Sequence, residues 1–146
     1  MKLKIVIALT LMASGRAMTL AFIGRAGDGG AGDPPDAWLM PLIGDAVIGL
    51  AAVAVALLIW RRRTPGAWLV AVVWSALGAF DALAAFIVET SAPWPEFFML
   101  EAFGRSMFFA ATAMHLLIIY LLTRPELLAE FGIESGSSSL PQATIS

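Results

Sequence analysis

Glu101, Arg105 and His115 share one apolar stretch, PEFFMLEAFGRSMFFAATAMHLLIIYLL, residues 95–122, which is long enough to cross a bilayer. A carboxylate, a guanidinium and an imidazole on one such segment could exchange a proton, hold an anion or relay a proton. Three further ionisable groups lie inside other apolar stretches: Arg16, Asp45 and Asp81. Alone at a helix centre in lipid, each would cost about 2.5–3.5 kcal/mol. They must therefore face each other or a wet cavity.

Their spacing points the same way. Counted from one end of each apolar stretch, Arg16 is eight residues from Gly24 and Asp45 is seven from Trp38. Asp81 is eight from Glu89, and Arg105 is eight from Phe97. On ideal helices all four fall roughly 11–12 Å below the same surface. Glu101 is one turn further out on the Arg105 face. His115 reads as deeper and alone. Two arginines against Asp45, Asp81 and Glu101 leave one surplus negative charge, so one carboxyl carries a proton or pairs with a cation. The binding candidates are Arg16, Asp45, Asp81, Glu101, Arg105, Thr112, His115 and Trp74. The candidates for acid–base catalysis are Asp45, Asp81 and Glu101. No metal ligand set is expected.

The elements that position these groups are helices. The chain has 146 residues, 60% hydrophobic and 14% charged, with a mean hydropathy of +0.85. Soluble domains carry about 25% charged residues, so the composition is that of a membrane protein. Four segments approach the roughly 20 apolar residues a span needs: 3–24, 38–60, 66–89 and 97–123. Their breaks are RAGDGGAGDPPDA, RRRTP and TSAPWP, rich in Gly, Pro and charge. The expected fold is an all-α integral membrane protein, an antiparallel four-helix transmembrane bundle over residues 1–124, followed by a largely disordered cytoplasmic tail at 125–146. Lys2, Lys4, Arg61, Arg62, Arg63 and Arg124 lie at one set of ends and Arg25 at the other. By the positive-inside rule both termini are cytoplasmic. Trp38, Trp60, Trp68 and Trp94 fall at span ends, where indole favours the interface; Trp74 falls inside a span and packs.

The faces agree. Glu101, Arg105, Phe108, Thr112 and His115 form one stripe of the last segment. Pro41, Asp45, Gly49, Ala52 and Ala56 form a small-residue face suited to close helix approach. Trp74, Gly78, Asp81 and Ala85 line up on the third segment. A bundle with these stripes inward would hold a small polar chamber near one surface.

Competing readings stand beside these. MKLKIVIALTLMASG has the layout of a signal peptide, but apolar sequence resumes directly after Arg16. GDGGAGDPPD is a solvated turn rather than a calcium loop, and the RRR run is topological, with anionic-lipid contact an added role. The methionines, Met12, Met18, Met40, Met99, Met107 and Met114 among them, are packing residues. The charge layer itself could be a structural network that fixes helix register. With no cysteine, disulfides and thiol redox chemistry are excluded, and a single histidine excludes bis-histidine haem within one chain.

An arginine in the first segment, followed by LIGDAVIGLAAVAVALLIWRRRTPGAWLV with its early acid and basic exit, resembles the DoxX-like four-helix membrane proteins. The likeness covers about the first half of the chain. The family usually has a glutamate at the place of Asp45, and its first-span arginine lies nearer the cytoplasmic end than Arg16. The resemblance implies a four-helix fold and a role for Arg16 and Asp45 in the buried polar centre.

The leading functional expectation is a binding or translocation site for a proton or small polar solute. Two alternatives stay open: a membrane enzyme acting on a quinone, sterol or isoprenoid, and an accessory subunit with a structural charge network. Whether the chain is an enzyme is undecided at this point. No cofactor is expected, a quinone or other lipid-like ligand being the alternative. The expected partners are the lipid bilayer and either further copies or a larger membrane complex, with no nucleic acid. The expected location is a bacterial inner (plasma) membrane.

Overall fold

The computed structural model describes residues 2–28, 34, 36–94 and 103–133, and among them every regular element is helical. The first apolar stretch runs as α1 (Lys2–Met12), a 3-10 segment (Ala13–Thr19) and α2 (Leu20–Gly27). Then come α3 (Leu39–Arg61), α4 (Pro65–Ser91), α5 (Ser106–Leu122) and the short α6 (Pro125–Glu130). The residues from Lys2 to Ala26, α3 and α4 are each long and apolar enough to cross a membrane. At 17 residues, the described length of α5 reaches about 25 Å, short of a hydrocarbon core of about 30 Å.

Local chemistry sets the boundaries. Thr64 caps α4 by accepting the Ala67 N–H at 3.3 Å, and Pro65 at the first helical position lacks the N–H that would otherwise be orphaned. Before α5, Gly104 takes a positive φ of 58°, which breaks any helix entering from residue 103. Among the described residues the long helix of the fourth stretch runs from Ser106, with Phe103 helical ahead of the break; residues 97–102 of the expected 97–123 span lie outside the described set.

The first stretch packs on α3, α3 on α4, α4 on α5, and α5 back on α1. The small-residue face of α3 makes this possible. A Cβ on Gly49 would collide with the backbone of Arg16 and Ala17, so the 3-10 segment rests directly on α3. Ser14 donates its hydroxyl back to Leu11 O at the end of α1 (2.6 Å), and Thr19 donates to Arg16 O within the 3-10 segment (2.8 Å). Thr19 also reaches Leu42 O on α3 at 3.1 Å.

Two apolar cores result. One holds Leu3, Val6, Ile48, Ile59, Trp74, Ile118 and Leu122. The other gathers Ala26, Trp38, Leu42, Ala85, Trp94 and Phe108. Trp38 and Trp94 are 2% exposed, their rings 6.1 Å apart, and Trp38 donates to Ala92 O at 2.8 Å. Both are interior packers here rather than interface residues, whereas Trp60 is 62% exposed. The opening of the tail is α6, whose Leu127, with the following Phe131, is fully buried in the first core. Lys2 binds Glu126 at 2.9 Å and Arg63 lies 3.4 Å from Glu130. The hydrogen bond from Lys2 holds Glu126 below the usual carboxylate range. This contact is therefore complete at neutral pH and is lost as acid protonates Glu126, and at such exposure it adds little to stability.

Close approach at Gly49 is testable. Gly49→Ala should lower the thermal midpoint of the detergent-solubilised protein, an overpacking cost of about 1–3 kcal/mol. Gly24→Ala, whose Cβ would meet nothing within 4 Å, should leave the midpoint unchanged or raise it. Equal midpoints for the two variants would contradict the contact.

Candidate functional site

Arg16, Asp45, Asp81 and His115 come from the 3-10 segment, α3, α4 and α5 and meet at one point. The Arg16 guanidinium is the centre. Its Nε donates to Asp45 Oδ1 at 2.5 Å, and its Nη2 also pairs with that oxygen. Nη2 donates to Asp81 Oδ2 at 2.5 Å. Nη1 donates to the Gly78 carbonyl at 3.0 Å and to His115 Nε2 at 3.1 Å. A guanidinium has five N–H donors and no acceptor, and here every donor direction meets an acceptor. The charged side chains are largely withdrawn from solvent, at 11% exposure for Arg16, 23% for Asp45 and 18% for Asp81.

Glycines let the groups approach. A Cβ on Gly44 would overlap the Asp81 carboxylate, and one on Gly78 would overlap the His115 ring. His115 is fully buried and stands edge-on to Trp74, ring centroids 5.0 Å apart. Trp74 is held in turn by its own bond to Ile48 O at 3.1 Å. Because arginine can only donate, His115 Nε2 is the accepting nitrogen. The ring is then the neutral Nδ1–H tautomer. That Nδ1 has no hydrogen-bond partner among the described residues.

The expected site residues divide. Arg16, Asp45, Asp81 and His115 form the cluster, with Trp74 against the imidazole. Thr112 is buried on the same α5 stripe, but its hydroxyl turns back to Phe108 O at 2.8 Å and it stays outside the cluster. Arg105 does not join the charge layer. It precedes α5, is 57% exposed, and lies 3.6 Å from Glu89. Glu101 is among the residues outside the described set. His115, expected deeper and alone, is instead in contact with Arg16. The break at Gly104 accounts for both corrections. His115 is nine residues past Ser106, the depth that counting from Phe97 had given to Arg105. Glu89, 7% exposed and accepting the Trp94 N–H at 3.4 Å, went unnoticed in the sequence. Its signal was an acid in the last turn of a span near a loop arginine.

The sequence also missed a cavity of about 290 Å³ between the 3-10 segment and α5, with Arg16 and Asp45 in its wall. The rest of the lining is mostly apolar, with Ala13, Thr19, Phe108 and Ala111, and includes Met12, Met18, Met107 and Met114. Met12 and Met18 are 69% and 50% exposed, so the cavity opens on the flank of the helices. Asp81 and His115 do not line it.

Chemically, one fixed positive charge faces two carboxyl groups. Fully ionised, the cluster carries a surplus negative charge. Among the described residues no three His, Asp or Glu side chains converge as a metal-ion ligand set. No protein-family model, no curated protein and no solved structure matches this chain.

Removing the central cation strands two carboxyl groups in an apolar interior. Arg16→Leu should destabilise the solubilised protein by about 3–5 kcal/mol. Arg16→Lys should recover little, because an ammonium lacks the planar fork that spans Asp45, Asp81 and Gly78 O. Equal chemical-denaturation midpoints for wild type and Arg16→Lys would contradict the fork geometry. In ¹⁵N spectra of histidine-labelled protein, His115 should show the Nδ1–H neutral pattern, and an Nε2–H pattern would refute the Arg16 contact.

Proposed function

We propose that this chain is a four-span membrane protein, antiparallel and with both termini cytoplasmic, that holds a lipophilic molecule in a pocket opening sideways to the bilayer. The observation that carries the reading is the methionine-lined cavity with Arg16 and Asp45 in its wall. Translocation of a proton or small polar solute would call for a polar path between the two surfaces. The cavity instead has mostly apolar walls and a flank opening, which suits a molecule with an apolar body and one polar end. Methionine side chains adapt their shape to such a guest, and the volume lies near the lower end of small-molecule pockets. The guest therefore places its head and the adjoining part of its body inside, with the remainder in lipid.

The four-span arrangement is supported by the ring of packed helices and by the outward apolar side chains, such as Phe80 at 72% and Ile87 at 64% exposure. Lipid, or further copies of the chain, would cover them. The six-to-one distribution of Lys and Arg at the span ends supports the orientation. The likeness to DoxX-like proteins contributes the four-helix expectation alone, and the activity of that family is not carried to this chain.

Two experiments test this reading. The chain has no cysteine, so single-cysteine variants report topology without background. Lys4→Cys and Arg124→Cys should resist a membrane-impermeant maleimide in whole cells, and Asp28→Cys should react. The opposite pattern would overturn the orientation. A photoactivatable alkyl diazirine in nanodiscs should label Met107, Ala111 and Met114 in excess over Phe80 and Ile87, and Ala111→Trp should abolish that excess. Uniform labelling of all lipid-facing residues would sink the pocket.

A further inference from the structure

The class of molecule the pocket takes follows from which hydrogen-bonding capacity is still free at its wall, an inference that rests on the pocket reading. Arg16 lines the cavity, but its N–H groups are directed to Asp45, Asp81, Gly78 O and His115 Nε2. An anionic head would have to displace one of two carboxyl groups from the guanidinium. Asp45 is the opposite case. Arg16 engages its Oδ1 through both Nε and Nη2, its side chain is 23% exposed, and it is the carboxyl group that lines the cavity. Asp45 also shares a side-chain hydrogen bond with Asp81, and of the roughly four acceptor sites of a carboxylate these contacts leave one at the wall, so the remaining capacity is that of an acceptor.

Charge counting gives the same sign. The groups facing Asp45 are Arg16 from the 3-10 segment and Asp81 from α4, both on the same guanidinium, while His115 from α5 touches the far side of that guanidinium. With His115 neutral, the only positive charge among them is that of Arg16, and two carboxyl groups share it. Without a guest, an apolar setting favours a neutral cluster, with one proton held on the Asp45/Asp81 pair. A guest that brings a positive charge can take that proton's place.

We propose that the pocket binds amphiphiles with a cationic, hydrogen-bond-donating head, an alkylammonium being the simplest, and that the head seats on Asp45. One proton leaves the Asp45/Asp81 pair for water as the head arrives. The O–H bond breaks heterolytically, the electron pair stays on the carboxylate, and the net charge of the occupied cluster is again zero.

The test uses the full chain in nanodiscs of zwitterionic lipid, with empty nanodiscs as the partition reference. Dodecylammonium, dodecanol and dodecanoate share an apolar chain and differ in head charge. Dodecylammonium should bind at least tenfold more tightly than dodecanol, and dodecanoate should not bind above the reference. Calorimetry in two buffers of different ionisation enthalpy should show close to one proton released per ammonium bound at neutral pH. Asp45→Asn should abolish the preference for dodecylammonium over dodecanol. Comparison of the three probes on the wild-type protein keeps the test independent of that variant's folding. Dodecanoate binding as well as or better than dodecylammonium would overturn the head-group assignment while leaving the pocket standing. Dodecylammonium binding with no proton release would overturn the exchange. Failure of all three probes to bind would remove the pocket reading itself.

Discussion

The Arg16 guanidinium is the constraint on which the rest of the structure depends. It is one planar cation that three other helices must approach closely enough to satisfy. The 3-10 segment carries it, α3 supplies Asp45, α4 supplies Asp81 and the Gly78 carbonyl, and α5 supplies His115. In a dry interior an unpaired N–H or carboxylate oxygen costs more than in water, so a nearly complete network selects one register of four segments. Sliding any helix by one residue would turn its contribution away from the centre. The small residues Gly44, Gly49 and Gly78 are the complement of this demand, since a side chain at any of them would occupy the space the charged groups or their backbone need.

The same layer divides the apolar interior. Along each segment the charged residue or His115 falls between members of the two cores: Ala13 and Ala26 around Arg16, Leu42 and Ile48 around Asp45, Trp74 and Ala85 around Asp81, Phe108 and Ile118 around His115. Apolar packing above and below keeps water from the pairs and strengthens them. The polar layer in turn supplies the directional contacts that apolar side chains lack. Within lipid there is little hydrophobic drive between helices, so directional contacts of this kind, with close packing at the glycines, carry more of the specificity than they would in a soluble bundle.

Much of this was legible in the sequence because charge in an apolar helix has few places to go. The faces of α3 and α4 and the common depth of Arg16, Asp45 and Asp81 follow from helical periodicity and the cost of unpaired charge. Arg105 and His115 were misplaced for one reason. A depth counted from Phe97 assumes one unbroken helix, whereas Gly104 interrupts the chain just before Ser106. The count then favoured Arg105 and exiled His115. The 3-10 segment was illegible for a related reason: Ala, Ser, Gly and Thr at 13–19 are compatible with either helix type, and the choice is made by contact with Gly49 of α3. The methionine-lined cavity depends on how α5 sits against the first stretch, a tertiary relation that no single segment encodes.

That cavity gives the layer an asymmetry that a purely structural network would not require. Asp81 and His115 approach Arg16 from α4 and α5, beside Gly44 and Gly78, and neither lines the cavity. Asp45 meets the same guanidinium at the edge of the cavity. Two carboxyl groups that are near-equivalent toward the arginine, and similarly exposed at 23% and 18%, therefore differ in what they border: Asp45 lines the cavity and Asp81 does not. A register-fixing network is best served when each member is sealed by packing, as His115 is beside Trp74. A carboxyl at the wall of a 290 Å³ apolar cavity, within an otherwise tightly approached layer, is the feature on which the binding proposal rests.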